Sequence, residues 1–93
     1  MRIRGIVRTA SLEENPPGTE RIEMILHVQG VRPDQPRVLV VPYELLLGDE
    51  TLDPEQVQGK GFEAEAEFDE AGRSIVSAIA FATGRVLRQP EGN

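Results

Sequence analysis

The chain contains no cysteine and no tryptophan, and only one histidine, one tyrosine and one lysine among its 93 residues. Without cysteine there are no disulfides, no thiolate zinc sites and no cysteine nucleophile. His27 alone cannot complete an imidazole-rich metal centre, even with Glu23 on the same face of a strand. It is also the one imidazole base available to Ser11, Ser74 and Ser77, none of which stands in a strand–turn–helix nucleophile elbow. Gly59-Lys60-Gly61 is too short for a phosphate loop and follows a helix instead of opening one. Glu13-Glu14 and Asp49-Glu50 fall in loops and read as solvated charge. The expectation is a protein that is not an enzyme, with no catalytic residues, no cofactor and no metal.

Long apolar runs are missing as well. Nothing approaches the roughly 18 consecutive apolar residues of a membrane span, and Met1-Arg2-Ile3-Arg4-Gly5 has no apolar stretch behind it of signal-peptide length. A cytoplasmic protein without membrane contact is expected. Positive charge is scarce: 10 Lys and Arg face 16 Asp and Glu, for a net charge of -6. Non-specific nucleic-acid affinity comes from neutralising phosphates, so this balance weighs against a generic polyanion binder. The charge is segregated, however. Arg2, Arg4 and Arg8 fall in the first ten residues, which hold no acid, whereas residues 38–72 hold Lys60 as their one cation amid many carboxylates.

What is present is an ordinary globular composition, 39% hydrophobic and 28% charged, in a length that suits one domain over residues 1–88 with a polar tail at 89–93. Period-two alternation marks strands. Ile3, Gly5, Val7 and Thr9 share one face of a first strand ending near Ala10. Ser11 to Glu20, with Pro16, Pro17 and Gly18, reads as a loop. A second strand runs from Arg21 to Val31 with Ile22, Met24, Leu26 and Val28 inward, and a third from Arg37 to Tyr43. Asp53 and Pro54 open a short helix, with Asp53 as N-cap, Gln56 closing a capping box and Leu52 stapled to Val57. A fourth strand puts Phe62, Ala64, Ala66 and Phe68 inward and Glu63, Glu65 and Glu67 outward. Asp69 to Gly72 turns it into a fifth strand from Ser74 to Ala82, which resumes at Gly84 to Arg88 after a break.

Three meander strands, a short helix and a hairpin of two strands resemble the order of an OB-fold barrel, the oligonucleotide- and oligosaccharide-binding superfamily. Asp53 to Ile79 looks like that family's second half, and Gly5 suits the strand that must coil to serve both sides of the barrel. The fold class expected is thus all-β, a five-stranded OB-like barrel with one short helix between the third and fourth strands. The resemblance implies a ligand surface on the second and third strands, flanked by the first long loop and the fourth-to-fifth connection. It carries no residue signature and so assigns no functional residue.

Two features compete for function. The third and fifth strands are apolar on both faces, so side chains such as Ile25, Leu39, Val41, Tyr43 and Ile79 are expected to form an outward strip that a protein partner or a second copy covers. The alternative is single-stranded nucleic acid on His27, Arg32, Arg37 and Tyr43, with Tyr43 as the free stacking aromatic. The arginines Arg2, Arg4 and Arg8 admit an anion patch. Pairing of the first strand with the fourth instead sets them beside Glu63, Glu65 and Glu67, and the expected role of these arginines is a closure seam.

Overall fold

The computed structural model describes residues 1–88, so the expected polar tail at 89–93 lies outside the described residues. In chain order the elements are β1 (Arg2–Glu14), β2 (Ile22–Gln29), β3 (Val38–Val41), α1 (Tyr43–Leu46), α2 (Pro54–Val57), β4 (Gly61–Phe68), β5 (Ser74–Phe81) and β6 (Val86–Arg88). The sheet runs β3-β2-β1-β4-β5-β6, and the parallel pair Val40↔Ile75 joins β3 to β5. Five strands therefore close into a mixed barrel, with β6 added along β5.

Alternation builds the interior. Ile3 and Val7 from β1, Met24, Leu26 and Val28 from β2, Leu39 and Val41 from β3, and Phe62, Ala64 and Ala66 from β4 are all buried in one core. Val76, Ile79 and Phe81 from β5 and Leu87 from β6 complete it, while Leu45 of α1 and Val57 of α2 plug it from the helical segment. Gly5 is needed where β1 bends: a Cβ there would stand 2.5 Å from the Gln29 carbonyl oxygen and 2.9 Å from a Val31 methyl. A register shift between Val7 and Thr9 leaves Arg8 as a bulge. Thr9 consequently turns outward, contrary to expectation, and Ala10 packs against the core in its place.

Other boundaries also differ from expectation. β1 does not stop near Ala10. Ser11 to Glu14 pair with Ile25 to Ile22 and carry the β1–β2 ribbon past the last β1–β4 pair, since the prolines that break strands come only afterwards. Ile22 sits at the end of that ribbon, clear of the barrel, and is exposed instead of inward. Two short helices, not one, separate β3 from β4. α1 follows Pro42, which acts as N-cap without any side-chain bond, so it carries none of the usual start signals. At α2 the Asp53 carboxylate accepts the Glu55 backbone N–H at 2.9 Å, as expected of a cap. Residues 84–88 do not continue β5: Gly84, at φ +99°, turns the chain so that Val86–Arg88 runs back antiparallel against Ala78–Ala80.

Candidate interaction groove

The strand register decides which apolar residues face out. Leu39 and Val41 are fully buried and Ile79 is 1% exposed, so the expected outward strip is corrected at these three positions: their alternation points them into the core. The outward residues of β3 are Val38 and Val40, which stand opposite His27 and Ile25 of β2. Val40 is only 4% exposed, yet it is no member of the core cluster, nor are Ile25 and Ile75. These residues make a small apolar patch on the outside of the barrel, across the β3–β5 junction.

That patch floors a groove of about 740 Å³. Ile25, Val38 and Val40 lie along it, with the end of β1 and the turn after it (Glu13, Glu14, Asn15 and Pro17) and the β4–β5 turn (Gly72 and Arg73) on its flanks. Phe68 also lines it and is 62% exposed, not inward as its alternation suggests. It pairs with Ser74 in the last rung of the β4–β5 ladder, one step beyond the Ile75 that joins β5 to β3. Strand alternation alone does not show that this last position of β4 is exposed.

The flank at the β4–β5 turn is held by a hydrogen-bond network. The Asp69 carboxylate accepts the backbone N–H groups of Arg73 at 2.8 Å and Ala71 at 3.0 Å, and the Arg73 Nε–H at 3.1 Å. These donors, the Arg73 backbone N–H foremost, hold the Asp69 carboxyl below the usual range. The Arg73 guanidinium also donates to Glu23 at 3.0 Å, and Glu23 accepts from the Asn15 side chain at 2.9 Å, so both turns are tied to the end of β2. Arg73 is thus already satisfied by carboxylates.

Tyr43 lies elsewhere. It is half-buried at the start of α1, with the Arg21 guanidinium 5.0 Å from its ring centroid. Arg21 also pairs with Glu44, whose carboxyl is lowered by its backbone hydrogen bond and by Arg21. Tyr43 therefore joins neither the apolar patch nor a basic face, and both expectations for it are corrected. Arg85 makes a comparable tie, donating to Asp49 and Thr51 and binding the segment between the helices to the β5–β6 turn. Thr51, ahead of Arg85, lowers the Asp49 carboxyl.

Five of the remaining arginines bear on the expected seam and nucleic-acid face. Arg2 and Arg4 stand opposite Glu65 and Glu63 across the β1–β4 ladder. Arg2 Nε is 3.0 Å from Glu65 and Arg4 Nε 3.5 Å from Glu63, which is the seam geometry. Arg8 and Glu67 are not part of it: the β1–β4 pairing ends at Ile6↔Gly61, and Glu67 faces Ile75 on β5. Among the described residues Arg8, Arg32 and Arg37 have no carboxylate within 4.0 Å. Arg8, His27 and Arg37 line a second concavity of about 380 Å³ with Val38, and no acidic residue lines it. Arg32 lines a different one with Arg2 and Arg4, so the four residues of the expected nucleic-acid face do not converge. Only His27 and Arg37 do.

No group of three or more His, Asp or Glu able to hold a metal occurs among the described residues. None of their helices is long and apolar enough to cross a membrane. Comparison with protein-family models, curated proteins and solved structures finds no match to this chain.

Proposed function

We propose that this chain is a non-catalytic binding module of the OB-like kind, and that its outer β2/β3 groove receives a segment of a partner protein or of a second copy. One observation carries this: Ile25, Val38 and Phe68 present apolar surface beside the nearly buried Val40, on a concave face between two turns. Apolar side chains on a concave surface gain by being covered, at roughly 25 cal/mol for each Å² removed from water. The position also agrees with the ligand surface that the OB resemblance implies, and the closed five-strand barrel is compatible with that fold.

Selection of random displayed decapeptides on the whole chain tests the proposal. Enriched peptides are expected to bind Val38→Glu at least about tenfold more weakly than wild type, while the variant keeps its Tm, because Val38 is 41% exposed. No enrichment, or equal binding to the variant, overturns it. For the second-copy form, light scattering at two protein concentrations is the check; a monomer at both removes it.

Single-stranded nucleic acid is the second reading, favoured by the acid-free concavity that Arg8, His27 and Arg37 line. Against it stand Glu13, Glu14 and Glu23 in the adjoining groove and the engagement of Tyr43 by Arg21. Titration of a labelled oligonucleotide at low salt decides; no binding there ends this reading.

A further inference from the structure

The groove and the basic concavity share Arg37 and Val38 and so form one continuous surface. The ladder register orders its chemistry. At one end Glu13 of β1 stands opposite Glu23 of β2. Two residues along β2, Ile25 stands opposite Val40, and beyond it His27 stands opposite Val38. Past that row come the Arg8 bulge and Arg37, neither with a carboxylate partner among the described residues. The face is therefore acidic, then apolar, then basic. From Glu23 to His27 is four residues of strand, about 13 Å at roughly 3.3 Å each.

The two ends differ in more than sign. At the acidic end Glu23 is taken by Arg73 and Asn15, and Glu14 accepts the Gly18 backbone N–H, leaving Glu13 without a hydrogen bond or ion pair among the described residues. At the basic end neither arginine is neutralised, in a chain whose net charge is -6. Asp34, the one acid between β2 and β3, lines neither concavity. On this face the unmet positive charge is hence concentrated around Arg8 and Arg37. A partner that leaves them bare discards the strongest electrostatic attraction on this face.

Resting on the groove reading, we propose that the occupant is an extended segment of another protein, with apolar side chains over Ile25, Val38 and Val40. Its acidic residues lie over Arg8, His27 and Arg37, and a basic residue at the opposite end faces Glu13. Four to five residues of extended chain span the distance between the charged ends. A nucleic-acid strand matches the basic end but would lay phosphates along Glu13, Glu14 and Glu23. Among the described residues the strands of this chain are already paired in the sheet, and the occupant is accordingly taken to be a segment of another protein.

The test uses the full chain. The charge order of the enriched decapeptides is read first: an acid on one side of an apolar pair and a base on the other is expected. Three synthetic peptides with the same apolar centre then follow by fluorescence anisotropy, one bipolar, one neutral and one with lysines at both ends. The bipolar peptide should bind about tenfold tighter than the others at low salt, with the gap narrowing at high salt. Arg37→Glu should weaken the bipolar peptide about three- to tenfold and improve the all-lysine one, a reversal that loss of fold would not produce. Equal affinity of the three peptides, with binding still lost in Val38→Glu, overturns the charge order alone and leaves the groove reading standing. No peptide binding overturns both. Displacement of a bound peptide by an oligonucleotide, or self-association lost in Val38→Glu, assigns the groove to another occupant and overturns the inference.

Discussion

Gly5 is where a single atom decides the path of the chain. The bend of β1 brings it so near the Gln29 carbonyl that a methyl group has no room. Gly5→Ala is expected to cost about 1–3 kcal/mol, read as a lower urea midpoint, because backbone and not a flexible tip is in the way. The sequence shows a glycine in an alternating strand and so hints at this bend. Asp69 is a second such residue, and its contribution depends on pH. Its carboxyl is held below the usual range, so it stabilises the fold above the ordinary carboxylate pKa and this is lost as pH falls through the depressed value. Asp69→Asn should therefore lower Tm at pH 7, with the gap to wild type closing below about pH 4. A gap that stays constant from pH 7 to pH 2 would rule out this assignment. The turn itself was legible from Asp69 to Gly72, whereas the tie from Arg73 across to Glu23 links residues 50 apart and leaves no local trace.

Elements differ in how plainly they are written. The α2 start was legible because Asp53 and Pro54 each meet a need of a first helical turn, and β4 because its glutamates alternate with Phe and Ala. α1 was not, since Pro42 supplies no capping bond and four residues are too few for a periodic stripe. It nevertheless contributes Leu45, 1% exposed, to the core. Leu45→Ala should cost about 2–5 kcal/mol in chemical denaturation, as expected of a buried leucine; a cost below about 1 kcal/mol would show that α1 is dispensable to packing. The β1–β4 seam behaves differently. Its ion pairs are exposed, Arg4 and Glu63 being 78% and 45% accessible, so Arg4→Ala should change stability by less than about 1 kcal/mol, and less still in high salt. The sequence reads Gly84 to Arg88 as the fifth strand resuming after a break, and composition does not record that the turn at Gly84 reverses direction.

At the scale of the whole molecule, an apolar surplus on the third and fifth strands was visible in the sequence, but its address was not. A shift of one residue exchanges Leu39 and Val41 for Val38 and Val40 between core and surface, and only the finished register makes that choice. Val38→Glu should accordingly leave Tm within a few degrees of wild type while weakening peptide binding about tenfold or more, the pairing of outcomes that separates a docking residue from a packing one. The same register gives the barrel its narrowest join, because β3 and β5 meet through one ladder pair, Val40↔Ile75. Amide hydrogens along β3 and at the start of β5 should then exchange with solvent sooner than those of the longer β1–β2 and β4–β5 ladders. The groove floor crosses this join, so whatever lies in it also clasps the barrel shut. Slowed exchange at residues 38–41 and 74–76 would report occupancy even before the occupant is identified.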